Sequence, residues 1–336
     1  MKTIVCTAPG ELAVAERPVP VAGPGEIAVD IRAIGVCGTD FHIFEGTHPF
    51  LQYPRVMGHE LSGVVAADSG NRTLPAGTPV VVNPYLSCGT CIACRKGRFN
   101  CCVRIRVLGV HTDGGMAERI VVPEGNLYRA GSLSLRDGAM VEFLSIGAHA
   151  VARSEVERGM RALVVGMGPI GIGTALFAAD SGAEVTVMDV SAERLAWVRD
   201  TLGFTQTILA GPEAHAEAEG ETGGEFYERV FDATGNARAM GGSFAYVAHT
   251  GTLVFVGLIA ADITFADAEF HKREMKLVAT RNALRADFER VMTAMAAGRI
   301  PTGAINTHRA ALADLPEAMP AWLAGDALPV KAILTL

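Results

Sequence analysis

The sequence predicts an α/β chain of two domains: a region of short strands, then a doubly wound parallel sheet with helices on both faces. Three observations predict it. Before about residue 150, short apolar runs are broken repeatedly by glycine and proline. After it, strand-like runs alternate with helical segments, the pattern of a covered parallel sheet. A glycine-rich turn stands at the first strand-to-helix junction of that alternation. The 336 residues fit about two domains, and 49% hydrophobic with 19% charged residues suits ordinary cores.

Residues 27–29, 61–66, 80–82 and 120–122 read as short strands of the first region. In the second, strands are expected at 162–165, 185–188, 230–232, 253–256 and 276–279. A helix is expected over 191–202, with Ser191 as N-cap and Glu193 in the first turn. Residues 162–179 carry no charge over eighteen positions, the length of a candidate membrane span. Five glycines or prolines among the first twelve, bracketed by Arg161 and Asp180, favour instead a strand, a turn and the start of a buried helix. Residues 213–225, rich in Ala, Glu and Gly, read as a solvated helix and loop. A helical pattern returns at 287–298, and 330–336 reads as a strand rejoining the first domain. The expected division is therefore 1–147 with 285–336, enclosing 148–284.

The net charge of −7 and a pI near 5.7, with no basic run, argue against nucleic acid as a partner. The chain opens Met1-Lys2-Thr3-Ile4-Val5, strand-like and without a secretory pattern. With cysteines read as reduced, this favours the cytoplasm and a protein that does not enter the membrane.

Cys88, Cys91, Cys94 and Cys102 stand at C-x2-C-x2-C-x7-C within fifteen residues. Four thiolates so close can satisfy one tetrahedral zinc, and Gly89, Lys96, Gly97 and Arg98 let the backbone wrap the ion in a lobe of about 84–104. A disulfide framework is the weaker reading. A chain of this length needs no staples, and seven cysteines is an odd number, with Cys101 adjacent and Cys6 and Cys37 remote.

Gly166, Gly168 and Gly171 form G-x-G-x-x-G directly after a strand and into a helix, with Pro169 and Ile170 inside the turn. Gly166 permits the tight turn, Gly168 lets backbone approach a pyrophosphate, and Gly171 allows close helix–sheet packing. Asp189 follows eighteen residues after Gly171, where an aspartate accepts from the adenosine ribose and repels a 2′-phosphate. NAD is thus expected over NADP, and Arg194 is a further candidate cofactor contact, though not adjacent enough to rescue that phosphate. Thr234 and Gly257, at the ends of later strands, and Lys331 complete the candidate cofactor contacts.

A second constellation joins Cys37-Gly38-Thr39-Asp40-Phe41-His42 to Gly58-His59-Glu60. Cys37 and His59 suit zinc, and Glu60 and the distant Glu142 can add carboxylate oxygen. Alone, Cys37 reads as a buried small hydrophobe and His59 as a satisfied core histidine. Together with the cysteine lobe and the glycine turn, these segments resemble the zinc-dependent medium-chain dehydrogenase/reductases over essentially the full length. The resemblance implies a GroES-like β-barrel catalytic domain completed by the C-terminal segment, plus a Rossmann NAD-binding domain. It implies two zinc ions per chain, one structural and one catalytic. The catalytic zinc lies on Cys37 and His59, with Thr39 and His42 as proton relay and Asp40 orienting the histidine. Where ordinary alcohol dehydrogenases carry a further thiolate or its equivalent, this chain has Glu142, as sorbitol and polyol dehydrogenases do. Which of Glu60 and Glu142 ligates stays open at this point.

Residues 109–115, 231–236, 269–274 and 280–283 are locally similar to bacterial L-galactonate (L-gulonate) 5-dehydrogenases. That likeness implies a small-molecule polyol or sugar-acid substrate, with Arg281 and Asn282 as candidate contacts for it. The family also implies a homodimer or homotetramer. Two alternatives remain: a zinc-free NADPH quinone or enoyl reductase of the same superfamily, and a non-catalytic NAD-sensing regulator.

Overall fold

The computed structural model describes residues 1–48, 51–69, 71, 73–325 and 329–336. It divides into two compact units, Met1–Glu142 with Val291–Leu336, and Phe143–Arg290. Against the expected division, residues 143–147 and 285–290 go to the second unit. The helix Val141–Ser154 is continuous across the first of these boundaries.

The first unit is built round the strand Glu26–Val36, which is buried along almost its whole length. Such a strand needs partners on both edges. It has Glu60–Val65 and Arg119–Pro123 antiparallel to it, and Lys331–Thr335 antiparallel near its C-terminal end. The sheet continues through Pro79–Val82 to Leu127–Arg129 on one side and to Asn306–Ala311 on the other. Ile27, Val29, Ile31, Ile34, Leu61 and Leu334 point into one core. A smaller sheet sets Lys2–Ala8 between Glu11–Glu16 and Arg55–Val56. The expected C-terminal strand does rejoin this unit, and its register, Ala332 opposite Val36, brings Lys331 at the start of that strand level with Cys37.

The second unit holds a six-stranded parallel sheet in the order Thr207–Leu209, Glu184–Asp189, Arg161–Val165, Tyr227–Asp232, Val247–Phe255, Lys276–Ala279. The chain builds one half outward from Arg161–Val165, then crosses to build the other, so that strand and Tyr227–Asp232 flank a topological switch point. The uncharged stretch resolves into Arg161–Val165 and the helix Pro169–Asp180. Among the described residues no helix is long and apolar enough to cross a membrane. The acidic segment forms the helix Ala214–Glu221, and the late helical pattern forms Arg285–Ala296.

Candidate metal centres and dinucleotide-binding turn

The register of Glu26–Val36 against Glu60–Val65 sets Gly35 opposite Glu60. That pairing brings Cys37, just past one strand end, to the same edge as His59, just before the other. Ligand atoms of Cys37, His59 and Glu60 lie within 4.8 Å of one another. Cys37 caps the short helix Gly38–Glu45, and its backbone N–H donates to Asp40 Oδ2 at 2.9 Å. The other oxygen of this fully buried carboxylate accepts from the Gly58 N–H at 3.2 Å. Asp40 therefore locks the two backbone segments that carry the thiol and the imidazole. It acts through those two backbone segments.

Around this triad the carboxylates are individually held. Lys331 Nζ donates to both oxygens of Glu60, at 2.7 and 2.8 Å, and to the Val36 carbonyl at 3.2 Å. Both side chains are buried. Lys331, a cofactor candidate on sequence, thus has its ammonium engaged inside the first unit. Gly35 makes room for this pair, since a Cβ there would fall 2.0 Å from Glu60 Oε2. Glu142, in the first turn of Val141–Ser154, accepts a hydrogen bond from the Tyr85 hydroxyl. Burial raises the Glu142 carboxyl, and burial with the adjacent Glu142 charge raises Tyr85 well above the usual phenol range. Tyr85 accordingly stays a neutral donor. Thr39 Oγ1 lies 3.7 Å from Cys37 Sγ, and His42 Nδ1 lies 3.2 Å from Thr47 Oγ1. The His42 side chain is 64% exposed, open to exchange with water.

The donor set suits zinc: one thiol, one imidazole and carboxylate oxygen at a buried edge. His59 Nδ1 is buried and has no hydrogen-bond partner among the described residues. A buried imidazole nitrogen without a partner is costly unless something else, such as a metal, engages it. The second cluster fits equally well. Ligand atoms of Cys88, Cys91, Cys94 and Cys102 also lie within 4.8 Å of one another, and all four are free cysteines. Cys91 and Cys94 sulfurs are 3.5 Å apart and those of Cys88 and Cys94 4.0 Å. Tetrahedral zinc with bonds of about 2.3 Å needs a separation of about 3.8 Å. Backbone N–H groups, with Arg104 and the Thr90 hydroxyl, hold Cys88 down to about 5, favouring the thiolate that binds metal. Cys101 is exposed and stands outside the cluster.

In the second unit Gly166 has φ +92°, and a Cβ at Gly171 would come 1.7 Å from the Gly166 carbonyl oxygen. Gly168 caps Pro169–Asp180 with no heavy atom within 4 Å of its Cβ position, leaving space over the helix N-terminus. Asp189 accepts from the Met167 N–H at 2.6 Å and the Ser191 N–H at 2.8 Å, tying the turn to the second strand. The Arg194 guanidinium lies 6.0 Å from the Trp197 ring. Thr234 Oγ1 donates to buried Asp232 at 2.6 Å, and Gly257 packs where a Cβ would meet the Gly235 nitrogen at 2.5 Å. Arg281 is exposed, and Asn282 adopts φ +51°. Tyr85 and Asp232 were not foreseen as site residues. Tyr85 lies in a two-residue strand with no periodic pattern, whereas Asp232 could have been found as a strand-end carboxylate beside Thr234.

Comparison with known proteins agrees with this geometry. The alcohol dehydrogenase GroES-like domain matches residues 23–132, and the zinc-binding dehydrogenase domain matches 169–297. L-Galactonate-5-dehydrogenase of Escherichia coli K12 is 38% identical over 336 residues, covering 100% of this chain and 99% of that protein. A short chain alcohol dehydrogenase of E. coli CFT073, solved with NADH, superposes with a TM-score of 0.92 at 27% identity, covering 100% of this chain and 99% of that one. A zinc-binding dehydrogenase of Sinorhizobium meliloti 1021, solved with NADP, has a TM-score of 0.91 at 26% identity over the same shares. The chain belongs to the zinc-binding medium-chain alcohol dehydrogenases.

Proposed function

We propose that the protein oxidises a secondary alcohol of a polyol or sugar acid with NAD, and reduces the corresponding ketone in reverse. The observation that carries this is the clustering of half-buried Cys37 with buried His59 and Glu60, with buried Glu142 beside them, in a chain that also has the dinucleotide turn. Cys37, His59 and one of the two glutamates would hold a catalytic zinc, and the four lobe cysteines a structural one. When bound, zinc would polarise the alcohol oxygen and NAD would accept the hydride.

The chain's own groups would handle the proton. Thr39 Oγ1, next to the Cys37 sulfur, would accept it from the alcohol, and exposed His42 would pass it to water. The alcohol carbon gives up its hydrogen with the electron pair and becomes a carbonyl. Arg281 and Asn282 are proposed contacts for the substrate's carboxylate or hydroxyls. Asp189 supports NAD, because a 2′-phosphate beside its carboxylate would be repelled. The 38% identity to a sugar-acid dehydrogenase supports the substrate class. A soluble homodimer or homotetramer in the cytoplasm completes the reading.

The test is NADH formation across aldonates, hexitols and small diols, with zinc counted on the same sample. Two zinc ions per chain and activity on at least one aldonate or hexitol are expected. One zinc ion per chain, with NADPH-dependent reduction of quinones or enones, would overturn the reading in favour of a zinc-free reductase. Cys37→Ala should abolish polyol oxidation, and full activity in that variant would sink the catalytic metal claim.

A further inference from the structure

Resting on the zinc-dehydrogenase reading, we propose that Tyr85 is a positioning residue that sets the Glu142 carboxylate for the catalytic metal, and that the neck of the four-cysteine lobe holds Tyr85 in place. Tyr85 lies in the strand Tyr85–Leu86, which pairs with Arg106–Val107, Tyr85 opposite Val107. These two short strands bracket the segment containing Cys88, Cys91, Cys94 and Cys102. The lobe that looks purely structural therefore has its base beside the catalytic site. Tyr85 is fixed there by its own backbone: its N–H donates to Asn83 Oδ1 at 3.0 Å, and its carbonyl accepts from Asn126 Nδ2 at 3.1 Å. Its side chain is buried, and its hydroxyl donates to Glu142 Oε1.

The two glutamates are thereby treated differently. Lys331 spans both oxygens of Glu60 and neutralises its charge, whereas Tyr85 takes a single oxygen of Glu142 and leaves its charge in place. A carboxylate restrained through one oxygen can present the other to a metal or its water in one orientation. Partners of this kind orient a metal's carboxylate and tune its affinity. Tyr85 acts through Glu142.

The experiment uses the full-length enzyme carrying cobalt at both metal sites, comparing Tyr85→Phe with Tyr227→Phe. Tyr227 is a buried tyrosine of the second unit, whose hydroxyl donates to Glu221 Oε2 at 3.0 Å, and it serves as the control for losing a buried hydroxyl. Tyr85→Phe is expected to shift the d–d absorption of the catalytic cobalt and to weaken zinc binding there by about 10-fold or more. The intense thiolate charge-transfer bands of the four-cysteine site should remain, and Tyr227→Phe should leave both sets of bands in place. In a Glu142→Gln background, Tyr85→Phe should produce little additional shift. An unchanged d–d spectrum with unchanged zinc affinity in Tyr85→Phe, or an equal shift in the Glu142→Gln background, would overturn the proposal. If the parent oxidises no polyol or aldonate while Tyr85→Phe still shifts the spectrum, the substrate reading fails and the positioning role stands.

Discussion

At the scale of single residues, the most consequential pair is Lys331 with Glu60. Two buried opposite charges can be close to neutral for stability as a pair, yet removing one strands the other without water. Lys331→Met should therefore destabilise the first unit by about 3–5 kcal/mol in urea unfolding. Adding Glu60→Gln should recover most of that loss, and an unaffected single variant would show that water reaches the carboxylate. Gly35→Ala tests the same pocket sterically. Its Cβ would meet Glu60 Oε2 at 2.0 Å and the Ala139 carbonyl oxygen at 2.9 Å, so the Glu60–Lys331 contact must shift. Overpacking of this sort costs about 1–3 kcal/mol, readable as a lower unfolding midpoint with reduced zinc at the catalytic site. His59 and Glu60 were legible in sequence because they are adjacent, and Cys37 because its segment is distinctive. The Lys331 partner was not legible, being 271 positions from Glu60. Two strand registers, and no local pattern, join them.

At the scale of elements, the glycine turn and the strand–helix unit around it could be read directly, since their chemistry is local. Gly166 needs its left-handed φ, and Gly171 needs its missing Cβ, both within six residues of sequence. Gly171→Ala must push the Pro169–Asp180 helix away from the Gly166 carbonyl. At about 1–3 kcal/mol of strain, NADH should bind roughly 10- to 100-fold more weakly by fluorescence titration, with the zinc content intact. Equal NADH affinity would mean that the turn relaxes without disturbing the pyrophosphate position. Ser191 was likewise readable as a cap, and its Oγ accepts from the Arg194 N–H at 3.1 Å. What local reading missed is what Asp189 does within the protein, where it accepts from two backbone N–H groups. Two-residue strands such as Tyr85–Leu86 were beyond reach for a related reason. Only their tertiary partners define them.

At the scale of the whole molecule, the two units differ in how the chain closes them. Phe143–Arg290 is one continuous segment with its own core, including Leu163, Tyr227, Val230 and Leu253. Among the described residues, all six strands of its sheet come from that segment. The first unit is discontinuous, and its central strand Glu26–Val36 loses the partner Lys331–Thr335 if the chain stops at residue 142. The change of pattern near residue 150 announced two domains, but this dependence on the last strand rests on pairing between distant segments. Expressed alone, residues 143–290 should fold cooperatively and bind NADH. Residues 1–142 alone should not, because a buried sheet edge is left unpaired and Glu60 loses Lys331. Joining 1–142 to 291–336 through a flexible Gly/Ser linker should restore a folded unit that takes up two zinc ions. Circular dichroism melts, NADH titration and metal analysis on the three proteins read these outcomes. A well-folded, zinc-loaded 1–142 fragment would refute the claim that the C-terminal strand completes the catalytic sheet. A 143–290 fragment that stays unfolded would mean its own core cannot stabilise it without the first unit.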